Sequence, residues 1–182
     1  TKGVAPLQAL NPFVLQQAET INQCQGVLCV GDHTGCYVTN IKTGNYIEVR
    51  NVDFGTAGAK SFKARVKVNK KSTLYIRTNS KSGSIKGRIT IEPTNGEWTD
   101  VTCDLTSPIS GVQDLFFTFS GSIGSESSLF DFDSWQFSEE PTGILSLENK
   151  KREVNDSSYD LQGRKTKAKG ISIRDGKKVV KK

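Results

Sequence analysis

The sequence predicts an all-β fold, a jelly-roll sandwich of two antiparallel sheets, and three observations carry that expectation. Short apolar and polar alternations recur, as in Ser61–Val68, where Phe62, Ala64, Val66 and Val68 share one side and Lys63, Arg65 and Lys67 the other. Turn signals separate these runs at regular spacing: Thr43-Gly44-Asn45, Asn69-Lys70-Lys71-Ser72, Asn95-Gly96 and Ser110-Gly111. No stretch before residue 140 holds a helical stripe. Eight to ten short strands of this kind make a sandwich. A closed barrel is the other all-β shape, but charged, edge-like strands such as Ser61–Val68 suit a sheet with one wet face.

Taken in order, Thr1–Asn11 has no period, contains Pro6 and leads into Pro12, so it reads as a linker. Phe13, Leu15 and Gln17 then alternate with Val14, Gln16 and Ala18 up to Glu19, a first strand. Tyr37–Ile41 and Tyr46–Val49 flank the Thr43-Gly44-Asn45 turn. Ser61–Val68 and Thr73–Arg77 are expected to pair as a hairpin through Asn69–Ser72. Ile85–Ile91, Thr99–Leu105 and Asp114–Ser120 continue the series. Leu129–Phe137, LFDFDSWQF, resists it. Strict alternation puts Asp131, Asp133, Trp135 and Phe137 on one face and Phe130, Phe132, Ser134 and Gln136 on the other, so neither is cleanly apolar. Such a strand is poorly specified unless its acids bind something.

A chain of 182 residues fits one domain with an appendage. Its start at Thr1 and lack of methionine suggest a segment of a longer polypeptide. No apolar run approaches the ~20 residues of a membrane helix, and no signal peptide opens the chain. The net charge of +6 is unevenly placed: residues 1–140 hold 13 Lys/Arg against 14 Asp/Glu, and residues 141–182 hold 12 against 5. The basic character therefore belongs to a solvated tail, not to a nucleic-acid patch on the main body. The expected organisation is a linker over 1–11, a sandwich over 12–139, a polar linker over 140–158 and a small β segment over 159–182. The last contains two or three short strands and the hairpin-turn pair Asp175-Gly176.

Catalytic constellations are weak. His33, the one histidine, lies in the polar loop GDHTG with no partner pattern for a triad. Asp131 and Asp133 are two apart on one strand, whereas a glycosidase needs its carboxyls on opposite sides of a sugar. No phosphate-binding or dinucleotide fingerprint occurs. Cys24, Cys29, Cys36 and Cys103 show no CxxC spacing; one or two disulfides fit an exported protein, and buried free thiols fit as well.

Binding chemistry is better represented. Gln17, Glu19 and Asp133 are hard oxygen ligands of the kind calcium takes, near the two ends of the expected domain. Tyr37 and Trp98 stand beside turns, where an aromatic face can stack on the C–H face of a pyranose.

The segments FVLQQAE, GCYVTNIKTGNYIEVRNVDFG, STLYIRTNS, ITIEPTNGEWTDVTCDL, GVQDLFFTFSG and LFDFDSWQF follow one another over Asn11–Phe137. In order and spacing they resemble the family 6 carbohydrate-binding modules. NPFVLQQAE also resembles the junction behind a family 43 glycoside hydrolase acting on arabinoxylan. The tail YDLQGRK…KGISIRDGKKVV resembles the sorting segment of secreted Bacteroidetes proteins.

The resemblance implies a galactose-binding-like jelly roll with a structural Ca2+ held by Gln17, Glu19, Asp133 and a carbonyl near Lys42. It implies a cleft in which Tyr37 and Trp98 clasp a sugar ring while Asp131 binds its hydroxyls. Asp131 stands where that family usually has Asn, and an ionised Asp only accepts hydrogen bonds. Ser134 stands where an aromatic is common, Asn45 where the turn usually has Asp, and Tyr46 where some members have the aromatic of a second cleft. The implied function is non-catalytic: targeting an attached glycoside hydrolase to xylan or a related plant β-glycan. The implied location is secreted, cell-surface or periplasmic, as a monomer with a polysaccharide partner. The competing reading is an adhesion sandwich that recognises host glycan or protein.

Overall fold

The computed structural model describes residues 8–32, 35–121 and 128–142, together with the backbone of four strands further on; of Asp32 only the backbone is described. The chain divides into two compact units, 1–143 and 144–182. No helix of the described residues is long and apolar enough to cross a membrane.

The first unit holds eleven strands among the described residues: β1 (Gln16–Gln17), β2 (Gln23–Gln25), β3 (Leu28–Asp32), β4 (Gly35–Thr39), β5 (Tyr46–Asp53), β6 (Ala59–Val68), β7 (Ser72–Thr78), β8 (Ile85–Ile91), β9 (Thr99–Ile109), β10 (Val112–Gly121) and β11 (Phe130–Ser138). One sheet runs β3-β4-β11-β6-β9 with β1 also paired to β11; the other runs β2-β5-β10-β7-β8. Every strand pairing is antiparallel.

β6 alternates as its sequence dictates, with Phe62, Ala64, Val66 and Val68 buried. It does not pair with β7. Asn69 and Lys70 instead donate their N–H groups to the Leu129 carbonyl at 3.1 and 3.2 Å, and the turn carries the chain from one sheet to the other. The turn after Ile41 does the same, so β4 and β5 also lie in different sheets. The first strand is shorter than the alternation suggested. Phe13 N–H donates to Asn11 Oδ1 at 2.9 Å, and this turn keeps the chain from extending before Gln16.

β11 solves its own pattern. Phe132 lies opposite Val66 on β6 and Ser134 opposite Arg65, leaving Asp133 without a partner there. This β-bulge shifts the alternation by one residue. Phe130 and Phe132 before it, and Trp135 and Phe137 after it, are all buried. Phe117 of the facing sheet packs among Phe62, Phe132 and Trp135 at centroid distances of 5.6, 5.5 and 5.5 Å. The strand read as mixed is thus apolar on its inner face throughout.

In the second unit β12 (Ser158–Tyr159), β13 (Lys165–Thr166), β14 (Gly170–Arg174) and β15 (Lys177–Lys181) form a four-stranded sheet, one strand more than expected. Arg174 lies opposite Lys177. His33 and the pair Asp175-Gly176 lie outside the described residues.

Because Phe117 meets three aromatics of the other sheet, Phe117→Ala should lower the unfolding free energy by about 3–5 kcal/mol. Urea denaturation checks this; a loss under ~1 kcal/mol would contradict the packing described.

Candidate functional site

The outer face of β11 presents Asp131 between two neighbouring strands. Its register partner on β6 is Lys67, and Val38 of β4 faces Phe132, which sets Thr39 beside Asp131 on the other side. Thr39 Oγ1 donates to Asp131 Oδ1 at 2.5 Å. Lys67 Nζ pairs with Asp131 Oδ2 at 3.0 Å. The carboxylate side chain is 10% exposed and the lysine 25%, so the pair is sheltered rather than solvated.

Tyr37 and Trp98 gather around this pair. Their ring centroids are 5.4 Å apart at 72°, edge to face, and Lys67 Nζ lies 5.1 Å from the Tyr37 centroid and 4.9 Å from that of Trp98. β4 supplies Tyr37. Trp98 follows a tight turn in which Glu97 N–H donates to the Thr94 carbonyl at 3.0 Å, with Asn95 and Gly96 at φ 53° and 86°. Thr94 is anchored to the end of β6 by two bonds with Val68: its N–H donates to the carbonyl at 3.0 Å, and its Oγ1 accepts from the N–H at 2.9 Å. The three residues expected together, Tyr37, Trp98 and Asp131, do come together. The rings touch each other instead of flanking a gap. Lys67 and Thr39 join them unforeseen, although a carboxylate set among aromatics needs a cation nearby and Lys67 was already on the outward side of β6.

A second group forms at the bulge. Ala18 N–H donates to the Asp133 carbonyl at 2.9 Å and Gln17 lies opposite Ser134, so the backbones of Gln17 and Asp133 run side by side, while Asp133 itself lines a separate opening with Lys63, Arg65 and Asp100. Glu19 Oε2 is buried without a hydrogen-bond partner. Asp133 Oδ2 accepts from Ser134 Oγ at 2.7 Å. Lys42 is not part of this group. Its carbonyl accepts the Asn45 N–H at 3.1 Å, in a turn that follows the Ile41–Leu129 backbone bond at the far end of β11. Gln17 and Glu19 line a surface opening with Cys29, Val30 and Gly31 of β3 and Cys36 of β4. Among the described residues no three His, Cys, Asp or Glu side chains are arranged to hold a metal. Tyr46 lies on the other sheet, 6.3 Å from Phe116 and with Lys81 Nζ 5.1 Å from its ring centroid.

The model of the carbohydrate binding module (family 6) matches residues 17–139. The chain belongs to this family. It is 34% identical over 143 residues to an arabinoxylan arabinofuranohydrolase of Paenibacillus polymyxa, a match covering 74% of this chain and 22% of that protein. The crystal structure of a glycoside hydrolase family 43 arabinoxylan arabinofuranohydrolase from Bacillus subtilis, in complex with cellotetraose, superposes with a TM-score of 0.68 at 33% identity. That match covers 76% of this chain and 29% of the Bacillus chain. A family 6 module from Clostridium cellulolyticum in complex with xylose gives 0.64 at 27% identity, covering 70% of this chain and 98% of that one. The chain thus spans under a third of the arabinofuranohydrolases it matches and almost all of a free-standing family 6 module.

This family 6 module has four free cysteines, three of them exposed, and neither expected disulfide nor fully buried thiols appear among them. Burial pushes the Cys103 thiol up to about 11. Burial, and then the Glu19 carboxylate, also raise Cys29. A thiol held protonated is a poor nucleophile. At pH 8, iodoacetamide should therefore label Cys36 at least ~tenfold faster than Cys103. Site-resolved mass spectrometry showing equal rates would contradict the burial of Cys103.

Proposed function

We propose that this module binds xylan or a related plant β-glycan and holds an attached glycoside hydrolase against that polymer. The observation that carries the reading is the Tyr37–Trp98 ring pair set over hydrogen-bonding groups on one face of the sandwich. Rings stack on the C–H faces of a sugar while Asp131 accepts from its hydroxyls. A sugar held between two rings needs about 7–8 Å, two carbon–carbon contacts. The 5.4 Å separation is smaller, so binding includes an outward swing of Trp98 on its exposed turn. The benefit is effective concentration at an insoluble substrate, not chemistry.

The arabinofuranohydrolases of Paenibacillus and Bacillus support a hydrolase as the attached domain. A secreted, cell-surface or periplasmic location follows from a polysaccharide ligand. The resemblance of residues 159–182 to a sorting segment agrees with export.

In affinity electrophoresis on xylan, Tyr37→Ala and Trp98→Ala should each lose most of the retardation while keeping the wild-type melting transition. Stacking lost at one ring weakens binding by roughly tenfold. Unchanged retardation in either variant would refute the cleft.

We also propose a structural Ca2+ at the bulge. Glu19 Oε2, buried and without a partner, fits a cation, and Gln17, Asp133 and backbone carbonyls supply the oxygens calcium prefers. The ion would cross-link the start and end of the module. Because it binds the folded state, a hundredfold excess over its Kd adds about 2.7 kcal/mol. EDTA should lower the melting temperature of the wild type and leave that of Glu19→Gln unchanged; equal melts with and without chelator would exclude the ion.

A further inference from the structure

We propose that Lys67 is itself a sugar-binding residue, and that Asp131 and Lys67 act as one donor–acceptor pair that reads two adjacent hydroxyls of the glycan. The inference rests on the reading of the Tyr37–Trp98 face as the glycan cleft. Hydroxyls need partners of both kinds, since each donates one proton and accepts others. Asp131 alone offers only acceptance, and Thr39 Oγ1 already occupies its Oδ1 at 2.5 Å. Oδ2 keeps a free lone pair beside the Lys67 ammonium.

That ammonium has three protons. Its one ion-pair partner among the described residues is Asp131 Oδ2, at 3.0 Å. Its other contacts are the two rings, at 5.1 and 4.9 Å, which hold a cation by their π faces without taking a full hydrogen bond. Donor capacity is therefore left where a stacked sugar would present its hydroxyls. The 3.0 Å between Nζ and Oδ2 is also a hydrogen-bond length, about the spacing of adjacent equatorial hydroxyls. One hydroxyl donates to Oδ2 and its neighbour accepts from Nζ. A single Asn side chain would offer the same two functions from one amide. Here they are divided between cross-strand partners, Asp131 and Lys67, whose register fixes the distance.

The division makes a rescue the decisive test. Titration calorimetry with xylohexaose and cellotetraose would compare the wild type, Lys67→Met, Lys67→Gln, Asp131→Asn and the double variant Lys67→Met/Asp131→Asn. Lys67→Met keeps the stem but removes every donor, and binding should weaken at least ~tenfold. Lys67→Gln keeps a donor without the charge and should stay within a few-fold of the wild type. The double variant should recover most of the affinity, because the introduced amide would then donate and accept alone. It also leaves no unpaired carboxylate, so it folds even if Lys67→Met does not.

A Lys67→Met variant that binds as tightly as the wild type, or a folded double variant that binds no sugar, would overturn the proposal. A purely structural ion pair predicts loss in Lys67→Gln as well. Trp98→Ala separates the two claims. Binding lost in Trp98→Ala but kept in Lys67→Met overturns the role of Lys67 alone. Binding kept in Trp98→Ala, or a wild type that binds neither oligosaccharide, overturns the cleft reading and the proposal with it.

Discussion

The backbone at Asp133 has no partner on β6, and its carbonyl takes the Ala18 N–H instead. That one unpaired residue sets the phase of the central strand. With it, Phe130, Phe132, Trp135 and Phe137 all point inward; in an unbroken strand the last two would face water. Burying two more aromatic side chains is worth several kcal/mol, which exceeds the cost of one interrupted ladder position. The same bulge opens a place for β1, so the beginning of the module is tied to its final strand.

The outer face of β11 is arranged by the same register. Before the bulge, Asp131 stands between Thr39 and Lys67. Beyond it, Gln136 reaches the Phe13 carbonyl at 2.7 Å. A carboxylate in this sheltered position would be costly alone. A hydroxyl on one oxygen and an ammonium on the other offset that cost, and the rings of Tyr37 and Trp98 limit the access of water. Tyr37, Thr39, Lys67 and Asp131 are thus held on strands, and Trp98 is carried by a turn anchored to the end of β6.

Much of this was legible in the residues. Alternation in β6 and in Ile85–Ile91, and the glycine- and asparagine-bearing turns, gave the strands and the sandwich. The ordered segments from FVLQQAE to LFDFDSWQF gave the family and the grouping of Tyr37, Trp98 and Asp131. Three things were not legible. A bulge leaves no mark in a period-two reading except a strand that seems wrong on both faces, which was the state of LFDFDSWQF. A turn signal such as Asn69–Ser72 reports that the chain reverses, not whether it stays in its sheet; the Leu129 carbonyl decides that from across the chain. The place of Lys67 depends on its being opposite Asp131, a register that only the bulge position fixes. The resemblance put a carbonyl near Lys42 beside Gln17, Glu19 and Asp133, but its turn follows the Ile41–Leu129 bond at the other end of β11, a placement that only the pairing of the strands decides.

Those sheet-switching turns bear on how the chain reaches its fold. β5 pairs with β2 and β10, and β6 with β9 and β11, so most of their hydrogen bonds are to strands made much later. Apart from the β3–β4 and β7–β8 hairpins, few contacts can form locally to guide collapse, and a topology of this kind folds in milliseconds to seconds rather than microseconds. During synthesis, β5 and β6 leave the ribosome with open edges. The charged outer face of β6, with Lys63, Arg65 and Lys67, then has an earlier role than any ligand contact. It keeps a waiting strand from pairing with another copy of itself.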